Sequence, residues 1–233
     1  SPQGLLLTNH HCGYGQIQKH STVKNDYLSD GFWAKNMQGE LPNPGVTVDF
    51  ISDIKEVTAE VLAGTQNLDE IAAENIIAKN IESVKATFKL ESWQKVVVKP
   101  MYYGNKYYAY LIETYKDIRL VGAPPQSIGK FGSDTDNWVW PRHTGDFSMF
   151  RIYADKDNKP AEYSKDNIPY KPKHFLPISI KDKQENDFTF VFGFPGRTTE
   201  YLPAIAVEKI MTETDPTMIG VREVALKTLD EKM

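Results

Sequence analysis

The chain has 233 residues, 40% hydrophobic and 25% charged, which describes an ordinary folded chain of one large or two small domains. Lys and Arg number 27 against 31 Asp and Glu, a formal net charge of -4 with no long basic block. Neither nucleic acid nor an anionic membrane surface is therefore an expected partner. No apolar run is long enough to cross a bilayer, so membrane insertion is not expected either.

Residues 3–8 read as a strand that runs into Thr8-Asn9-His10-His11-Cys12, and 11–20 as a short helix or turn. The opening Ser1-Pro2-Gln3-Gly4 reads as mid-strand, so the lack of a leader in front of it is uninformative. Residues 26–34 form an aromatic-dense helical turn, and Pro42 and Pro44 mark a loop before the alternating strand Val46–Ile51. Asn67-Leu68-Asp69-Glu70 fits a capping box that opens a helix to about Lys89. The stripe Ile71, Ala72, Ile76, Ala78, Ile81, Val84 and Phe88 is core packing on that helix, with no cofactor box in it. Trp93–Met101 and Lys106–Thr114 flank Gly104-Asn105, a two-residue hairpin turn. Arg119-Leu120-Val121 is a strand ending at the Pro124-Pro125 corner, and the loop 130–145 leads to a strand over 146–153. Residues 155–174 are polar and Pro-rich, a surface excursion. Phe188–Phe192 reads as a buried strand closed by the turn Gly193-Phe194-Pro195-Gly196, which lacks the spacing of a phosphate loop. After Pro203 the pattern turns helical, and no internal repeat or low-complexity tract appears.

Chemistry concentrates at two places. A histidine titrates near pH 6.5 and can take a proton from a hydroxyl nucleophile and return it to a leaving amine, which makes His11 a candidate general base. Asp146 precedes an alternating apolar strand and is the candidate orienting acid; Asp134 and Asp136 compete for that role from a polar loop. No Ser stands in a Gly-x-Ser-Gly turn, which a nucleophilic hydroxyl and its oxyanion donors would need. Ser133 is the nearest approximation and precedes Asp146, so the expectation is a nucleophile outside this sequence. His10, His11, His143 and His174 lack the spacing of a zinc motif, and no metal or other cofactor is expected.

An apolar strand ending in Thr-x-x-His-Cys, with an Asp at a later strand start, resembles the chymotrypsin-like peptidases, in which the chain order is His, Asp, Ser. Longer blocks are more specific. Gly4–Tyr14, Ile17–Ser21, Asp26–Leu28 and Gly31–Ala34 resemble the bacterial dipeptidyl-peptidases of types 7 and 11. So do Arg119–Pro125, Ser127–Gly132, Asp134–Trp138, Trp140–Asp146 and Gly193–Thr198, so that the likeness covers nearly the whole chain.

The resemblance implies a mainly β fold with α additions, a chymotrypsin-like double β-barrel of which mostly the first barrel is present. Residues 1–203 would be the N-terminal part of the peptidase domain, and 204–233 the start of an inserted helical domain. It implies a serine exopeptidase that releases dipeptides from peptides with a free N-terminus, with His11 as base and Asp146 as acid. Asn137 and Trp138 would help hold the substrate's α-ammonium group, a role suited to an amide oxygen and an indole face. The serine and the residue that selects the P1 side chain lie near the family's C-terminus, so P1 preference, acidic or hydrophobic, is left open. Cys12, the single cysteine, would pair with a cysteine on an earlier strand, consistent with a periplasmic or cell-surface setting. The oligomeric state is left open, a homodimer of the full-length protein being one form that the resemblance allows. The rival reading from another class is a chymotrypsin-fold binding module that has lost catalysis.

Overall fold

The computed structural model describes residues 1–133, 135–136, 139–190 and 201–232. It divides into two units, Ser1–Ile178 and Ser179–Met233. The first unit is a mixture of strands and helices in which every paired strand runs antiparallel to its neighbour.

One sheet is built around two long neighbours, β7 (Asp117–Ala123) and β8 (Ser148–Ala154). β1 (Leu5–Thr8) lies on the outer side of β8, with the two-residue β9 (Ile168–Pro169) also on β8. β2 (Phe32–Trp33) and β3 (Leu41–Pro42) pair with β7. Ile118, Leu120, Phe150 and Ile152 form the buried core of this sheet. Ile17, fully buried, brings the helix α1 (His10–His20) onto it. Burying a side chain such as Leu120 contributes about 2–3 kcal/mol.

Charges are also enclosed in this unit. Arg119 makes two bonds to Asp117, at 2.9 and 2.8 Å, and stacks 3.6 Å over the Tyr153 ring. Arg151, from the strand that follows Asp146, donates to Glu40 at 2.8 Å and to the Gln3 carbonyl at 2.7 Å. The Tyr153 hydroxyl donates to Glu40 at 2.8 Å; burial first, and that carboxylate second, push its pKa up to about 12. Each buried charge thus has a partner, the condition under which burial is tolerated.

The second sheet, in the order β4 (Val48–Glu56), β6 (Lys106–Tyr115), β5 (Gln94–Met101), is covered on one face by α4 (Glu70–Ala86) and the short α3 (Thr58–Val61). Asp69 caps α4, its carboxylate accepting from the Ala72 amide at 2.8 Å. The cap is therefore Asp69 and not Asn67, which adopts a left-handed φ of 62° in the preceding turn. The packed stripe includes Ile77, Ile81, Val84 and Phe88, whereas Ile71 and Ala78 are exposed, because a helix starting at Glu70 turns those two away from the sheet.

Two other sequence expectations change in this unit. Met101 pairs with Lys106, so the hairpin loop is Tyr102-Tyr103-Gly104-Asn105 and not a two-residue turn; Tyr102 and Tyr103 take the left-handed φ values that the longer loop requires. The strand expected over Val46–Ile51 runs from Val48 to Glu56, with a bulge between Ile51 and Asp53 that carries the pairing past the expected end.

The second unit carries α6 (Ala204–Lys209), a π-helical turn over Ile210–Thr214 and α7 (Asp215–Asp230), with the remaining α2 (Tyr27–Asp30) and α5 (Gln126–Gly129) belonging to the first. Phe188 and Phe190, expected in a buried strand, are exposed and pair with no strand among the described residues; the rest of that run, Val191 and Phe192, and the expected turn Gly193–Gly196 lie outside them.

Candidate active site

The antiparallel register of β1 on β8 sets Thr8 opposite Ser148, so the chain leaving β1 meets the chain entering β8 at one end of the sheet. This register alone brings together residues 135 positions apart in sequence. Asn9 is the N-cap of α1, with extended backbone, but its side chain makes no capping bond. The first-turn amides of a helix need an acceptor from elsewhere, and Asp146 supplies it. The His11 backbone N–H donates to Asp146 Oδ1 at 3.0 Å, while His11 Nδ1 lies 2.7 Å from Oδ2. Asn9 Nδ2 donates to Oδ2 and to the Asp146 carbonyl, both at 3.2 Å. The Ser148 hydroxyl donates to the Asn9 carbonyl at 2.9 Å, which fixes the N-cap to β8.

The close approach has a steric condition. A Cβ on Gly13 would lie 2.5 Å from Ser148 Oγ, so only glycine lets α1 settle at this depth.

Burial works against ionisation of Asp146, but the His11 amide and ring outweigh it and hold the carboxyl below the ordinary aspartate range. The partial positive charge at the N-terminus of α1 favours the anion in the same sense. An ionised carboxylate only accepts, so Nδ1 carries the proton and Nε2 keeps its lone pair. The His11 side chain is 72% exposed and that of Asp146 27%, so the acid sits beneath a ring that reaches solvent. Among the described residues, no group is hydrogen-bonded to His11 Nε2. The pair can therefore accept a proton from an external hydroxyl, with Asp146 holding tautomer and orientation and offsetting the imidazolium charge.

A cavity of about 180 Å3 adjoins the pair, lined by His10, His11, Tyr14, Gly129, Lys130, Thr144 and Asp146. Of the competing acids, Asp136 is exposed and bonds by its amide to the Gly132 carbonyl at 2.7 Å, without contact to His11; Asp134 lies outside the described residues. Asn137 and Trp138 also lie outside them. Ser133 lines a different cavity, with Ser29, Gln126, Ser127 and Lys130. Cys12 is exposed on α1, free among the described residues. His143 packs edge-on against Phe131.

The helix that the sequence places over 11–20 begins one residue earlier, at His10, which is only 1% exposed. Asn at a strand's end, a favoured N-cap, was the available signal that the helix starts there.

The family model described as Peptidase S46 matches residues 1–233. An Asp/Glu-specific dipeptidyl-peptidase of Capnocytophaga gingivalis is 61% identical over 234 residues, covering all of this chain and 33% of the relative. A dipeptidyl-peptidase 7 of Phocaeicola vulgatus is 45% identical over 246 residues, again with 100% of this chain and 33% of the relative. The crystal structure of DPP11 from Porphyromonas endodontalis in an alternate conformation superposes with a TM-score of 0.86 at 42% identity, covering all of this chain and 36% of that one. The chain spans about a third of the length of the curated relatives it matches. With an exposed imidazole seated on a helix-capping carboxylate and a family match from end to end, the chain belongs to peptidase family S46.

Proposed function

We propose that the full-length protein is a serine dipeptidyl-peptidase that removes dipeptides from peptides with a free N-terminus. The observation that carries the proposal is the 2.7 Å contact of His11 Nδ1 with Asp146 Oδ2, which leaves Nε2 ready to act as base. His11 takes the proton of a serine hydroxyl as the oxygen attacks the scissile carbonyl, then delivers it to the leaving amine. Asp146 stays ionised throughout and steadies the imidazolium. The serine belongs to the part of the family's length that this chain does not span. The order His, then Asp, with antiparallel sheets in the first unit, supports a chymotrypsin-like double barrel, with residues 1–203 in the peptidase domain and 204–233 opening a helical insertion. Asn137 and Trp138 hold the substrate's ammonium group; the resemblance of the block Asp134–Trp138 supports that role. A periplasmic or cell-surface setting and a homodimer belong to the same reading and rest on the family likeness.

Similarity favours an acidic P1 residue, since identity is 61% to the Asp/Glu-specific relative and 45% to the dipeptidyl-peptidase 7. Steady-state kinetics on the full-length enzyme with dipeptidyl substrates carrying Asp, Glu, Leu or Phe at P1 test this. A kcat/KM at least about tenfold higher for Asp and Glu is expected, a difference of about 1.4 kcal/mol. Preference for Leu or Phe would overturn the acidic assignment. Cleavage of none of them would favour a binding module.

A further inference from the structure

His10 is buried, yet its Nε2 has no hydrogen-bond partner among the described residues. Buried polar atoms are rarely left unpaired, and a phenylalanine of similar shape would leave none, so this imidazole calls for an explanation. Its packing is tight. A Cβ on Gly129 would come within 2.4 Å of Cγ and Cδ2 and 2.8 Å of Nδ1, so the ring lies against the bare Cα of α5's last residue. The Tyr14 ring, one turn further along the same face of α1, stands edge-on to it with centroids 6.3 Å apart. Because His10 is the first residue of α1 and His11 the second, wherever the His10 ring sits, the His11 amide and imidazole follow.

We propose that His10 is a positioning residue that keeps the first turn of α1 on Asp146 only while its own ring is neutral. The inference rests on the proposed reading of His11 and Asp146 as base and acid. The groups that face His10 are Asp146 from the entry to β8, His11 and Tyr14 from α1 itself, the Pro124 carbonyl before α5, and Gly129 and Lys130 at the end of α5. Burial lowers the His10 pKa more than Asp146 and the Pro124 carbonyl raise it, and His11 lowers it further. Near neutral pH the ring is therefore an uncharged wedge. On protonation it becomes an enclosed cation beside Asp146, in competition with the His11 ring for the one carboxylate. The wedge then strains outward against Gly129, and the base loses its partner.

The test uses the full-length enzyme and a free-amine dipeptidyl substrate, with kcat and KM measured from pH 8 down to pH 4 for wild type, His10→Phe and His10→Asn. Asn keeps a donor near the position of Nδ1, and neither replacement titrates. The wild-type acid limb of kcat should steepen from a slope of about one toward two, because two imidazoles must both be neutral. Either variant should show a one-proton limb throughout, with kcat at pH 8 within about tenfold of wild type and KM little changed. Gly129→Ala should lower kcat at pH 8 by about tenfold or more, and much less in the His10→Asn background. A limb of the same slope in wild type and in whichever variant folds would overturn the proposal, as would folded variants inactive at every pH. If His11→Ala is as active as wild type, the underlying assignment of base and acid fails instead, and the two failures are distinct.

Discussion

Replacing Asp146 with Asn probes the site at single-atom resolution. Asp146 Oδ1 accepts the His11 backbone N–H at 3.0 Å and Oδ2 meets the ring Nδ1 at 2.7 Å. An asparagine must put its NH2 in one of those two places. At the Oδ1 position it would face the His11 amide donor to donor and uncap α1, a loss of about 1 kcal/mol. At the Oδ2 position it opposes only the 3.2 Å bond from Asn9 Nδ2. The second arrangement wins, so the amide donates to Nδ1 and drives the ring proton to Nε2. The base then presents N–H where it should present a lone pair. The loss should approach 10⁴-fold in kcat, about 5.5 kcal/mol, the scale on which a wrong tautomer acts in such a triad. The assay is kcat of full-length Asp146→Asn beside Asp134→Asn and Asp136→Asn, with melting curves to show that each variant is folded. A folded Asp146→Asn enzyme within tenfold of wild type, or an equal loss at Asp134 or Asp136, would refute the reasoning.

Two further outcomes follow from the same geometry. Gly13→Ala sets a methyl 2.5 Å from Ser148 Oγ and should destabilise by about 1–3 kcal/mol, seen as a lower Tm; Ser148→Ala in the same chain should recover part of that loss. Asp146 also links stability to pH. Its folded pKa lies below the unfolded value of about 3.9, so the unfolded chain binds the proton more tightly. The contribution is complete above about pH 4 and disappears as pH falls through the folded value, so Tm of Asp146→Asn should depend less steeply on pH in that acid window.

Much of the frame is local and could be read in advance. Alternation marks the strands after Gln94 and Lys106, and the cluster Asn67–Glu70 announces the start of α4, although the residue that caps it is Asp69 and not Asn67. Asp146 was legible because an alternating apolar run begins two residues later. What could not be read depends on contacts between distant parts of the chain. That Asp146 caps α1 rests on the pairing of Thr8 with Ser148, and no local pattern carries that register. The burial of His10 rests on a glycine 119 positions later. Tyr102 and Tyr103 in left-handed turn positions defied the local rule, which favours Gly and Asn there.

The central claim is that His11, oriented by Asp146, is the base that releases dipeptides. Product analysis by mass spectrometry tests it most directly, with full-length wild type and His11→Ala incubated with one peptide bearing Glu as its second residue, as the free amine and N-acetylated. Wild type should release the N-terminal dipeptide from the free amine and nothing from the acetylated peptide, whose amine has lost its charge. His11→Ala, folded, should be slower by about 10⁴-fold or more. Dipeptide release by His11→Ala at the wild-type rate, or efficient internal cleavage of the acetylated peptide, would contradict the account.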